Sequence, residues 1–186
     1  MKEKSKIVSI LEKILESLKK RDYLDIKNLS NQIIEIASIQ QDIDLVFLSV
    51  IIYSLSKIME RKIFRKSKEG KKFYKNYIIG IKNLIKDINN DEIKNFRKEI
   101  SLMIKNLESV SKDIKNYIQD VFVKAKINRA SKIYEVGISL EKTAKILGIS
   151  IWELTEYVGQ TKIPDVNLSI TLPIKERIKI AEEIFS

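Results

Sequence analysis

The chain has 186 residues, with 35 Lys or Arg against 25 Asp or Glu, a formal charge of +10, and neither cysteine nor histidine. That composition rules out disulfides and thiolate chemistry and removes the commonest metal ligand and general base, and with them most hydrolase and transferase sites. A hydrophobic content of 44% is enough for a real core in one medium domain or two small ones, and only 5 Gly and 2 Pro point to a mostly helical protein with little sheet; no cofactor is expected.

The opening stretch, MKEKSKIVSILEKILESLKK, is basic, but Glu12 and Glu16 interrupt its apolar positions, so no signal-peptide core forms and a cytoplasmic protein is expected. Ile7, Ile10, Leu11, Ile14, Leu15 and Leu18 recur at helical spacing and predict an amphipathic helix from about Glu3 to Lys20. Asp25 or Asn28 caps a second helix through Ile39, with Leu29, Ile33, Ile34 and Ile36 inward. A third begins at Asp42 or Asp44. Its run LVFLSVIIYSL, Leu45 to Leu55, is apolar nearly all round and too short for the roughly 20 residues of a bilayer span, which predicts a buried central helix and no membrane association.

Gly70 marks a break, after which a fourth helix runs from about Lys72 to Ile88. Asn89 to Glu92 supply a turn and a cap for a fifth, with Phe96, Ile100, Met103, Ile104 and Leu107 on one face to about Val110, and Ser111 to Tyr117 either extend it or start the next. Ile118 to Val136 read as a helix closed by Gly137. Two short helices follow, Leu140 to Leu147 and Ser150 to Val158. After Pro164, VNLSITLP alternates as a strand, and Pro173 opens a last helix from Ile174 to Phe185. The fold class is therefore all-α: a helical bundle over 1–117, a helix-turn-helix over 118–165, and a strand-helix tail over 166–186 that serves dimerisation.

Charge is concentrated rather than spread. Between Lys57 and Lys75 nine Lys or Arg face only Glu60 and Glu69, whereas from Val121 to Asp165 seven basic residues meet five acidic ones. The first segment interleaves Phe64, Phe73 and Tyr74 with its charges, a composition suited to phosphate contacts with some base stacking by a nucleic acid, DNA or RNA. Lys62, Arg65, Lys66, Lys68, Lys71 and Lys72 are the candidate phosphate ligands. Such a run is more often a solvated helix end and loop. The acidic pairs Asp42/Asp44, Asp91/Glu92 and Glu182/Glu183 read as caps or surface residues, without the partners a catalytic or metal site needs.

In TAKILGISIWELTEYVG, Thr143 to Gly159, Ala144 is the small residue at a helix crossing and Gly148 the left-handed turn, while Leu147, Ile149, Leu154 and Val158 lock the pair. Ser150 caps the second helix, with Glu153 at the capping-box position. Ser150, Ile151, Trp152, Thr155 and Glu156 are then exposed on what would be the DNA-reading helix, where two carboxylates oppose phosphate. Trp152 is either a core anchor or, with Ile151 and Tyr157, a hot spot for a protein partner.

The stretch from Val136 to Pro164 resembles small prokaryotic antitoxins that partner PIN-type ribonucleases, through Gly137, Ser139, Ala144, Gly148, Ser150, Trp152, Glu153, Ile163 and Pro164. That resemblance implies DNA binding and neutralisation of a nuclease toxin. The tail LSITLPIKERIKIAEEI resembles the strand and first helix of ribbon-helix-helix regulators, which implies a homodimer with Asn167, Ser169 and Thr171 against bases, unless the strand pairs with a loop of its own chain. The leading expectation is a non-enzymatic nucleic-acid-binding regulator in which the lysines and Arg65 of the basic segment contact phosphates and Ser150, Ile151, Trp152 and Thr155 of the second helix supply what specificity there is. The alternative is a protein-interaction or assembly module built on the helix-turn-helix, and a small-molecule sensor in the bundle is a third reading.

Overall fold

Apolar residues spaced three and four apart lie on one face of a helix, and α1 (Lys4–Lys20) buries Ile7, Ile10, Leu11, Ile14 and Leu18 in this way. The computed structural model describes residues 3–108, 112–135 and 138–160, which form helices and turns with no strand among them. The all-α expectation holds for this part of the chain. The predicted strand and last helix, and with them the strand pairing that carried the homodimer expectation, lie outside the described residues.

α2 (Tyr23–Gln40) starts earlier than the sequence pattern predicts. Arg21 closes α1 in the left-handed conformation at φ 60°, and the next residue, Asp22, already caps α2 by accepting from the Asp25 N–H at 2.9 Å. Asp25 is therefore a first-turn residue and not the cap. α3 (Ile43–Glu60) is capped by Asp42, whose Oδ1 accepts from the Asp44 and Leu45 N–H groups at 3.0 and 3.2 Å. It is buried on nearly every side, in contact with α2, α6 and α7, and its buried Ser49 and Ser54 hydroxyls donate to the carbonyls of Val46 and Val50. Among the described residues no helix is long and apolar enough to cross a membrane.

The break after α3 also falls elsewhere than predicted. Arg61 is extended, α4 (Lys62–Lys66) makes little more than one turn, and Ser67 starts α5 (Lys68–Asn89) by accepting from the Gly70 N–H at 2.9 Å. Gly70 is inside the first turn of α5 and has negative φ. Its lack of a side chain matters for a different reason: a Cβ there would land on the Phe64 carbonyl. The glycine marks a close approach of α4 to α5 rather than a helix end.

α6 (Ile93–Glu108) buries Phe96, Ile100 and Met103, as the sequence spacing predicts. α7 (Lys112–Glu135) follows as one helix through position 117, so the expected boundary between bundle and helix-turn-helix falls within it. α7 packs on α2, α3 and α6 and so belongs to the same core. The ends meet in an orderly way: Lys4 at the start of α1 pairs with Asp91 after α5, Tyr74 near the start of α5 donates to the Leu18 carbonyl at the end of α1, and Arg97 early in α6 pairs with Asp44 early in α3 at 2.8 Å. α1 and α5 are thus antiparallel, and α3 and α6 parallel.

Candidate functional site

The basic segment found in the sequence lies where α3 ends and α4 and α5 begin. Lys62, Lys66, Lys68, Lys71 and Lys72 are exposed. Arg65 is half-buried and committed to the fold, with its Nη1 donating to the Met59 carbonyl at 3.1 Å and its guanidinium 5.3 Å from the Tyr23 ring centre. The aromatic residues of this segment do not face solvent. Phe64 and Phe73 are buried edge to face with ring centres 5.4 Å apart, Phe73 continues onto Tyr77, and the Tyr74 hydroxyl is bonded to Leu18 at 3.1 Å. The base-stacking component of the sequence expectation is corrected here. These rings anchor α4 and α5 to the bundle, and what they leave outside is charge.

The Tyr74–Leu18 and Arg65–Tyr23 contacts also bring in residues that the segment alone does not contain. The end of α1 and the turn after it place Lys19, Lys20 and Arg21, all exposed, beside α5. Burial raises the Tyr74 pKa, with the nearby Tyr23 adding to the rise and the Arg21 charge opposing it, which reflects the same proximity. Lys19, Lys20, Arg21, Arg61, Lys62, Arg65, Lys66, Lys68, Lys71, Lys72 and Lys75 converge on this end of the bundle, against Asp22, Glu60 and Glu69. In sequence these cations sit 40 residues apart, and only the antiparallel packing of α1 on α5 joins them.

The two short helices and the glycine turn of the expected helix-turn-helix are present. α8 (Leu140–Leu147) is capped by Ser139 and ends at Gly148 with φ 60°, and α9 (Ile151–Gln160) follows. Ala144, Leu147, Leu154 and Val158 are buried between the two helices and α7. Ser150 and Glu153 form a complete capping box: Ser150 Oγ accepts from the Glu153 N–H at 3.1 Å, and the Glu153 carboxylate accepts from the Ser150 N–H at 2.9 Å and its hydroxyl at 2.7 Å. These bonds hold the Glu153 pKa below its usual value. Lys142 Nζ donates to Gln41 Oε1 at 2.9 Å and so fixes α8 beside the start of α3. The basic end of the bundle is at the other end of that 18-residue helix, about 27 Å away at 1.5 Å per residue.

On α9, Trp152 is 84% exposed and Ile151 47% exposed, so Trp152 is not a core residue. Ser150 and Thr155 are exposed too, but the Thr155 hydroxyl donates to the Ile151 carbonyl at 2.8 Å and the Ser150 hydroxyl to Glu153. Tyr157 does not share the face of Ile151 and Trp152. It is half-buried, and its hydroxyl accepts from Asn128 Nδ2 at 3.0 Å, tying α9 to α7.

Sequence reasoning missed Arg129, which is fully buried with its guanidinium 4.2 Å from the Tyr53 ring centre and Nη1 donating to Asn31 at 2.7 Å. Burial lowers its pKa to about 10, so it stays charged at neutral pH. It clamps α7 to α2 and α3 beneath α9, and no sequence signal distinguishes it from the exposed cations of α7. A cavity of about 100 Å³ between α8 and the bundle, lined by Ile43, Val46, Ile133, Ile138 and Ile146, is below the size of ordinary ligand pockets. Among the described residues no group of three or more Asp or Glu is arranged to hold a metal ion. No known protein family, curated protein or solved structure matches the chain, so the likeness to antitoxins and ribbon-helix-helix regulators rests on the motif residues alone.

Proposed function

We propose that the protein is a non-enzymatic regulator that binds the phosphate backbone of a nucleic acid through the end of the bundle where α1, α3, α4 and α5 meet. The observation that carries this reading is the convergence of Lys19, Lys20 and Arg21 with the exposed lysines of α4 and α5 on a surface where cations outnumber the carboxylates of Asp22, Glu60 and Glu69. Cations gathered this way displace counterions from a polyanion, and that gain does not depend on base sequence. Because Phe64, Phe73 and Tyr74 are engaged in the fold, the surface offers no ring for unstacked bases. Its preferred ligand is therefore duplex DNA or structured RNA, where phosphates are dense, bound with little sequence preference. α9 contributes nothing to phosphate contact, since its ionisable groups of clear charge are Glu153 and Glu156.

The test is fluorescence anisotropy of labelled random-sequence duplex and hairpin RNA across a salt titration. With about six phosphate contacts, affinity should fall by about three orders of magnitude between about 50 and about 200 mM salt. Absence of binding at low salt, or binding that ignores salt, would overturn the reading.

A further inference from the structure

The largest exposed apolar side chain of the described residues sits in the capped first turn of α9. Trp152 follows directly on a left-handed glycine turn and lies inside a capping box satisfied in both directions, with Ile151 beside it. A tryptophan has only two side-chain torsions to immobilise, so an indole held outward on a capped helix loses little entropy when it docks. Its helix is acidic in a basic chain. In a chain of net charge +10, α9 carries Glu153 and Glu156 and no Lys or Arg.

This combination selects among occupants. Phosphates, whether of nucleic acid or of an anionic lipid surface, are opposed by the two carboxylates. A symmetric pair of α9 helices from two copies would set Glu153 and Glu156 against their own equivalents, which is also unfavourable. What fits is a polypeptide surface that receives the indole in an apolar pocket and meets the glutamates with cations. We infer that the Ile151–Trp152 face of α9 docks a protein partner whose surface offers an apolar pocket rimmed by Lys or Arg. Trp152 is the anchor, Ile151 extends the apolar contact, and the acidic character of α9 selects the sign of the rim. This interaction is separate from the basic end of the bundle, so one molecule can hold a nucleic acid at one surface and a basic protein at the other.

Trp152 is the single tryptophan of the chain, so its emission reports this face alone. The full-length protein is titrated with a synthetic amphipathic Leu/Lys peptide and with its Leu/Glu counterpart, while labelled duplex in a parallel sample reports the basic end. The expected result is red emission in the free protein, a saturable blue shift with the Leu/Lys peptide, and none with Leu/Glu. Glu156→Lys should reverse that preference, and Ile151→Ala should weaken the Leu/Lys interaction by about tenfold. Equal shifts with both peptides, or no shift with either, overturn the inference. So does emission already blue in the free protein: at every concentration it means that the chain covers its own indole, and at high concentration only it means that a second copy does. Loss of duplex binding with the peptide response intact would count against the nucleic-acid reading and leave this one standing.

Discussion

The α4–α5 junction and the α8–α9 turn are built alike and present opposite chemistry. In each, a short helix is followed by a serine whose hydroxyl accepts from the N–H three residues on, Ser67 from Gly70 at 2.9 Å and Ser150 from Glu153 at 3.1 Å. At the first junction the aromatic residues point inward and lysines cover the outside; at the second the one tryptophan points outward among carboxylates. Local backbone logic is therefore no guide to what a junction binds. The side chains left over after the core is filled decide that, and here they make one surface for polyanions and one for which phosphate is a poor ligand.

The comparison breaks most visibly if the lysines are reversed. Lys68→Glu, Lys71→Glu and Lys72→Glu together remove three cations and add three anions on exposed positions, so the fold should survive while duplex affinity falls by about a thousandfold near physiological salt. Anisotropy measures the loss and circular dichroism the retained helix. Lys19→Glu with Lys20→Glu sharpens the point, because these residues join the surface only through the packing of α1 on α5. Unchanged affinity in that pair would confine the site to α4 and α5.

Next in size are the two glycines, which serve different ends. Gly70→Ala puts a methyl group onto the Phe64 carbonyl, and a backbone atom cannot rotate away as a side chain can. The expected destabilisation is about 3 kcal/mol in chemical denaturation, at the upper end for overpacking. Gly148→Ala meets no atom within 4 Å and has only its φ of 60° to contend with, so about 1 kcal/mol is expected. If the order is reversed, the close approach of α4 to α5 is not what Gly70 provides.

A similar, smaller effect belongs to the capping box. Ser150→Ala removes the acceptor for the Glu153 N–H and the hydroxyl donor to its carboxylate, at a cost of about 1 kcal/mol. Those bonds depress the Glu153 pKa, so the part of the stabilisation that depends on the carboxylate is present above the ordinary glutamate pKa and is lost as pH falls through the lowered one. Denaturation of the wild type and the serine variant should therefore converge in stability as pH falls through the carboxylate range.

Periodicity and local steric rules made most of the fold legible in advance. The buried face of α1, the all-round burial of α3, the face of α6 and the αL glycine at 148 all follow from spacing that a single helix enforces. Boundaries were less legible where two signals competed. Gly70 reads as a breaker in sequence, yet its N–H is the donor to Ser67 and its missing Cβ is a packing feature. The candidate sites were legible in part for the same reason. A charge run shows that lysines are present but not which aromatic neighbours the core will claim, and nothing in the order of residues tells that the end of α1 lies beside the start of α5 or that Arg129 is fully buried. Those facts depend on contacts between residues far apart in the chain, to which local patterns are blind.

The smallest predicted effect tests the contrast between the two junctions most directly. Truncating a buried aromatic residue costs about 3–5 kcal/mol, through lost transfer energy and the cavity left behind. Phe64 and Phe73 at the basic junction, at 3% and 5% exposure, fall in that class. Trp152, at 84% exposure, has almost no contact area in the folded chain to lose, so Trp152→Ala should shift the unfolding free energy by less than about 0.5 kcal/mol while Phe73→Ala shifts it severalfold more. Paired denaturation curves at two protein concentrations settle the matter. A loss above about 1 kcal/mol for Trp152→Ala at both concentrations would mean that the folded chain covers the indole. A loss confined to the higher concentration would mean that another copy does. Either result would make the two junctions alike in burying their aromatic residues, and would leave charge as their one difference.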